Sequence, residues 1–166
     1  MVEEAERRGE LKAGMTIVEA TGGSTGASLA FVSAVKGYRF LVACSDAFSK
    51  EKLRTISSLG AEVNLVHSPS GKFTADLIPS IVRRAEELSR AEGHYYTNQF
   101  HNNDALIGYA TIGHELTSQF SDGIDAFCGA VGTAGMVTGV ARVLRSKYPS
   151  TKIVVLEPAE SPLLTE

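Results

Sequence analysis

The chain has 166 residues, 43% of them hydrophobic and 21% charged, with a formal net charge of −3. That length suits one ordinary domain with a real core, or one and a part, and the weak acidic balance leaves no electrostatic footprint for nucleic acid. No apolar run reaches the roughly 18 residues of a membrane span, and the acidic start Met1-Val2-Glu3-Glu4-Ala5-Glu6 has the character of neither a secretory signal nor a basic transit peptide, so a cytoplasmic location is expected.

Residues 2–8 read as the end of a helix with Gly9 or Gly14 as its stop, which hints at an upstream part. A regular alternation follows. Strand 16–19 leads to helix 25–36, closed by Gly37, and strand 38–43 leads to helix 49–59, closed by Gly60, with Ser49 as N-cap and Asp46 on its approach. Strand 62–66, a loop at 67–71, a long helix around 74–91 and a short strand at 94–97 come next. The polar stretch from Thr97 to Asp104 is a candidate domain crossover before helix 104–120. Strand 124–128, a glycine-rich turn, helix 136–147 and strand 152–156 precede a loop-like tail, Glu157 to Pro162.

The strands are continuous apolar runs, the pattern of strands buried on both faces. Their alternation with helices predicts an α/β fold with a parallel sheet covered on both sides. Cys44 and Cys128 both lie in such runs and read as buried, reduced thiols. In folds of this kind ligands sit at the carboxyl ends of strands, and the polar turns at 20–26, 98–103 and 129–135 fall at those ends.

Three features could therefore carry chemistry. The loop Glu19-Ala20-Thr21-Gly22-Gly23-Ser24-Thr25-Gly26 joins a strand to a helix N-terminus. There, unpaired N–H groups and the positive end of the helix dipole attract anions, and glycine lets the backbone approach a ligand. The loop reads either as an anion trap for an amino-acid carboxylate or as an unoccupied tight turn. The amide cluster Asn98-Gln99-Phe100-His101-Asn102-Asn103 suits a carboxylate or carbonyl, or is an Asn-rich turn. The turn Gly129-Ala130-Val131-Gly132-Thr133-Ala134-Gly135 could seat a phosphate on its amides, though its spacing is not the dinucleotide fingerprint. The four histidines lack metal-like spacing, so no metal site is expected. A serine-based triad is not discernible, and His114-Glu115, Glu86 and Glu87 read as solvated helix residues.

Taken together, these motifs resemble the cysteine synthase (O-acetylserine sulfhydrylase) and cystathionine β-synthase family, pyridoxal-phosphate enzymes of the tryptophan synthase β-like fold. The loop at 19–26 is similar to that family's Thr-Ser-Gly-Asn-Thr-Gly substrate loop, Asn98-Gln99-Phe100 to its Gln-Gln-Phe, and Gly132-Thr133-Ala134-Gly135 to its Gly-Thr-Gly-Gly phosphate cup. Lys36-Gly37-Tyr38, Leu59-Gly60-Ala61-Glu62 and the run Val154 to Pro162 agree with the flanking text. The resemblance implies a three-layer α/β fold truncated at both ends, with a smaller mobile domain at 10–100 and a partial cofactor domain at 1–9 and 101–166. It implies that Thr21, Gly22, Gly23, Thr25 and Gln99 bind substrate, and that Ser24, Gly132, Thr133, Ala134 and Gly135 bind pyridoxal 5'-phosphate.

The implied reaction is β-replacement on O-acetylserine or a similar amino acid, with a thiol or sulfide acceptor, by a homodimer. Alternatives are serine or threonine dehydratase-like β-elimination and a non-catalytic binding or scaffold relative. Three positions depart from the family: Ser24 replaces an asparagine, Ala134 a glycine and Met136 a threonine. The Schiff-base lysine, expected upstream of Met1, has no counterpart among Lys12, Lys36, Lys50, Lys52, Lys72, Lys147 and Lys152. By that resemblance the chain contains no catalytic residue and on its own does not anchor the cofactor covalently.

Overall fold

A computed structural model describes residues 1–159, 164 and 165; the end of the predicted tail loop, Glu160 to Pro162, lies outside the described residues. The elements run α1 (Val2–Arg8), β1 (Thr16–Ala20), α2 (Ser24–Lys36), β2 (Arg39–Ser45), α3 (Lys50–Ser58), β3 (Glu62–Val66), α4 (Leu77–Ser89), β4 (His94–Tyr96), α5 (Asp104–Gln119), β5 (Ala126–Ala130), α6 (Gly135–Lys147) and β6 (Lys152–Leu156). They form two compact units, Val2–Gln99 and Phe100–Glu166, with Met1 grouped with the second.

The first unit is built on a parallel four-stranded sheet of order β3-β2-β1-β4. β1 is buried throughout and β2 from Phe40 to Ser45, as expected of strands covered on both faces. Side chains alternate between the faces along each strand. Ile17, Phe40, Val42 and Cys44 pack with Leu29 and Ala30 of α2, Ile56 of α3 and Val2 and Ala5 of α1. Val18, Ala20, Leu41 and Ala43 pack instead with Leu77, Ile81 and Ala85 of α4. α1, α2 and α3 are each followed by a left-handed glycine, Gly9, Gly37 and Gly60, with Gly37 at φ 76° as the cap of α2. Ser49 caps α3 by accepting the Lys52 N–H.

Several sequence expectations are corrected. Residues 2–9, assigned above with the second part of the chain, belong to the first unit. The apolar side of α1 enters its core, and Glu6 accepts from Lys36 Nζ at 2.8 Å and Tyr38 Oη at 2.9 Å. α4 begins at Leu77 rather than near 74. Pro79 lacks an N–H and fits only in a first turn, where that N–H has no helical acceptor.

In the second unit β5 and β6 pair in parallel, and α5 and α6 approach closely through two glycines. A Cβ on Gly139 would lie 2.7 Å from Tyr109 Cβ and 3.0 Å from the Leu106 carbonyl, and one on Gly113 would lie 2.6 Å from Val143 Cβ. β5 starts at Ala126, two residues later than expected. The chain is still turning there, with Gly123 at φ 119° and the Ile124 carbonyl accepting from Thr151 Oγ1. Burial on both faces fails for β3, β5 and β6. β3 is a sheet edge, while Val154, Val155 and Leu156 of the two-stranded sheet are 42–48% exposed. For the same reason Cys128 of β5 is exposed, against expectation, whereas Cys44 is buried and its thiol is pushed up to about 11 by burial.

The two thiols should therefore react differently. A disulfide-exchange reagent is expected to label Cys128 of the native chain within minutes and Cys44 only after denaturation, with mass spectrometry assigning the site.

Candidate functional site

The strand order of the first unit places its switch point at β1, which is flanked by β2 on one side and β4 on the other. A crevice at the carboxyl ends of such strands is the standard ligand position in an open parallel sheet. The loop 21–26 leaves β1 there, and Gln99 leaves β4 there. The Gln99 side chain donates from Nε2 to the Ala20 carbonyl at 2.8 Å, so the amide predicted to contact substrate is tied to the root of the loop predicted to do the same.

Thr21 is buried, donates its N–H to the Ala43 carbonyl at 2.9 Å and accepts the Gly23 N–H at Oγ1 at 3.2 Å. Gly22 lies beneath Phe48, whose ring occupies the position a Cβ would take. Phe73 meets that ring edge-on at 5.0 Å. Gly26 packs where a Cβ would lie 2.8 Å from Ile56 Cδ1 and 3.0 Å from Thr21 Cγ2. Gly23 is the N-cap of α2 and makes no side-chain cap, so the first amides of the helix are open to an outside acceptor. Ser24 is exposed and Thr25 half-buried on this first turn.

One central residue was not singled out by sequence reasoning. Glu19 is fully buried in β1. Its Oε1 accepts the Ala20 N–H at 2.7 Å, and its Oε2 accepts Thr97 Oγ1 at 2.7 Å and the Gln99 N–H at 3.0 Å. Asn98, left-handed at φ 46°, turns the chain so that Gln99 can make this bond. Burial pushes the Glu19 carboxyl up to about 7, against the three hydrogen bonds, which pull it down. The available signal was an acidic residue inside the apolar run Ile17-Val18-Glu19-Ala20, where a charge is retained only with dedicated partners.

The amide cluster at 98–103 is divided between the units: Asn98 and Gln99 join the loop, whereas Asn102 accepts the Asp104 N–H at 2.9 Å at the start of α5. His67 and Asp46 form a separate surface pair at 2.6 Å. The backbone Ser68 N–H, and then His67, hold the Asp46 carboxyl below its ordinary value.

In the second unit, Gly132, Thr133, Ala134 and Gly135 form the turn between β5 and α6. Ala134 is left-handed at φ 63° and precedes the first helical residue, and no side chain caps the helix. The Thr138 N–H closes the first helical bond on the Ala134 carbonyl at 3.0 Å. The amides at the start of α6 are left without a capping side chain, and nothing lies within 4 Å of a Cβ on Gly132.

The whole chain, residues 1–166, matches the family model described as pyridoxal-phosphate dependent enzyme. The chain belongs to that family. A cysteine synthase from Staphylococcus aureus (strain Mu50 / ATCC 700699) is 40% identical over 167 residues, which cover 99% of this chain and 52% of that protein. Among solved structures, a hydrogen sulfide-producing enzyme from Fusobacterium nucleatum superposes with a TM-score of 0.90 at 32% identity, covering 99% of this chain and 54% of that one. O-acetyl serine sulfhydrylase isoform 3 from Entamoeba histolytica superposes with a TM-score of 0.86 at 32% identity, covering 99% and 48%. The chain thus spans about half the length of the relatives it matches.

Enzymes of this family depend on pyridoxal phosphate, and the α6 turn fits the phosphate of that cofactor in charge and openness. Lys36 is engaged with Glu6 and Lys147 with the Thr117 carbonyl; among the described residues no lysine hydrogen-bonds the loop 21–26 or the turn 132–135.

Two substitutions test this geometry. Gly22→Ala is expected to destabilise by about 1–3 kcal/mol through collision with Phe48, and a double-mutant cycle with Phe48→Ala, read by urea unfolding, should show coupling of about 1 kcal/mol or more. Ala134→Gly should raise thermal stability by about 0.5–1 kcal/mol, because the left-handed conformation that strains alanine is open to glycine.

Proposed function

We propose that this chain serves pyridoxal-phosphate-dependent β-replacement of the cysteine synthase kind, on O-acetylserine or a similar amino acid, with a thiol or sulfide as acceptor. The observation that carries this reading is the bond from Gln99 Nε2 to the Ala20 carbonyl, which brings two segments far apart in sequence to one helix N-terminus. That N-terminus has the polarity to receive an amino-acid carboxylate. In this reading Thr21, Gly22, Gly23, Thr25 and Gln99 hold the carboxylate, with the open amides of the first turn of α2 and the Thr25 hydroxyl as donors. Phe48 covers the loop at Gly22.

In the second unit the amides of Gly132, Thr133, Ala134 and Gly135 and the Thr133 hydroxyl seat the cofactor phosphate. By the resemblance, Ser24 on the first turn of α2 is a cofactor-binding residue, where the resembled family carries an asparagine. When bound, pyridoxal phosphate supplies the electron sink for breaking bonds at the amino-acid α-carbon. The chain's own contribution is to bind and orient.

The test is direct binding of O-acetyl-L-serine, followed by calorimetry. Gln99→Ala should weaken it about tenfold, the worth of one or two lost hydrogen bonds, with the far-ultraviolet circular dichroism unchanged. Equal affinity in the two proteins sinks the assignment of Gln99 and, with it, the reading of the loop.

A further inference from the structure

Glu19 sits directly behind the loop, and its surroundings satisfy two protonation states. The Thr97 hydroxyl lies 2.7 Å from Glu19 Oε2 and 3.1 Å from the Val18 carbonyl. It has one hydrogen to give. When Glu19 is ionised that hydrogen points at Oε2. When Glu19 is protonated on Oε2, the carboxyl donates to Thr97 Oγ1, and the hydroxyl turns its own hydrogen to the Val18 carbonyl. None of the three donors that meet the carboxyl is orphaned in either state, because the Ala20 and Gln99 N–H groups keep a carboxyl oxygen to bond.

Among the described residues, no cation forms an ion pair or hydrogen bond with the carboxylate. On β4, Tyr96 is held neutral, its phenol pushed up first by burial and then by the charges of Glu19 and Glu86, and His94 is bonded to the Leu88 carbonyl. On β2, Cys44 is neutral to about 11, and Arg39 reaches Glu62 at the amino end of the strands. On α2, Lys36 is bound to Glu6. On α4, Arg83 bonds Ser80 and Arg84 bonds Asn64 and Glu87.

We propose that Glu19 is the proton-coupled positioning residue of the loop, and that a carboxylate ligand at the α2 N-terminus binds together with a proton taken up by Glu19. This rests on the reading of the loop as a carboxylate site given above. The step balances simply: one proton moves from solvent to Glu19 Oε2, and the Thr97 hydroxyl rotates. The second negative charge is thereby accommodated without a buried anion facing it, while the carboxyl still ties Ala20 to Gln99. A unit charge within about 10 Å at a protein's effective dielectric changes proton affinity roughly tenfold, and by linkage the ligand's affinity changes by the same factor between the ionised and neutral forms.

Glu19 lies near 7 in the folded chain, against 4.5 for a free glutamate carboxyl. Folding favours the protonated form, so this contribution to stability is full below about 4.5 and is lost as pH rises through about 7. Ligand affinity follows the same direction.

The experiment labels glutamate carboxyls with carbon-13 in the full chain and titrates the Glu19 resonance with and without saturating O-acetyl-L-serine. The midpoint is expected near 7 alone and about one unit higher with ligand. The affinity for O-acetyl-L-serine should fall about tenfold from pH 6 to pH 8.5, and calorimetry in buffers of different ionisation enthalpy should show proton uptake near neutrality. Glu19→Gln should abolish the pH dependence and the uptake. Should that variant fail to fold, Thr97→Val removes a donor to the carboxylate and should raise the midpoint, with Thr97→Ser restoring it. An ordinary carboxyl midpoint, or ligand bound with the midpoint unmoved, overturns the proposal. Absence of any O-acetyl-L-serine binding overturns instead the substrate reading on which it rests.

Discussion

A carboxyl group in the middle of a parallel sheet must be hydrogen-bonded or neutral, and the first unit is arranged around that constraint. Glu19 stands among apolar residues on β1, an inner strand, and is fully buried. Its three donors come from Ala20 at the end of its own strand and from Thr97 and Gln99, just past the end of β4. The carboxyl therefore joins the two strand ends beyond the last backbone bond between them, from the Thr97 N–H to the Val18 carbonyl. The loop after β1 and the Gln99 arm gain a common reference point from it, and a ligand meeting one of them meets the other in fixed relation.

Packing reinforces this from the opposite side. Gly22 yields its Cβ space to Phe48, and Gly26 yields its own to Ile56 and Thr21. The loop is thus pinned between an aromatic pair and the hydrophobic core, while the first turn of α2 keeps its amides uncapped. A rigid backbone with open donors suits an anion, because the donors are already oriented before the charge arrives. The phosphate seat proposed for the second unit would use the same principle by other means. There the backbone is turned by Ala134 in a left-handed conformation, which alanine adopts only under strain.

The second unit is less completely covered. Its two-stranded sheet leaves Val154, Val155 and Leu156 half exposed, together with the Cys128 thiol. These are sequence features of buried strands in a chain that spans about half of its relatives' length. In the first unit the same apolar pattern produces two closed cores, because α1, α2 and α3 cover one face of the sheet and α4 the other.

By itself, the sequence determined the alternation of strands and helices, most of their bounds, the glycine stops and the helix caps. These depend on local periodicity and on backbone conformations that few residues can adopt. It also carried the family motifs, since the loop, the Gln99 segment and the glycine-rich turn are contiguous strings. Only the tertiary structure decided which strands become neighbours. The return of β4 to pair with β1 brings Thr97 and Gln99 to Glu19 across some 80 positions of sequence. That pairing makes a buried acid, unremarked in a linear reading, the hinge of the candidate site. It also decided that Cys44 is buried and Cys128 is not, and that α1 packs with the first unit, because burial depends on what covers a face rather than on the residues that compose it.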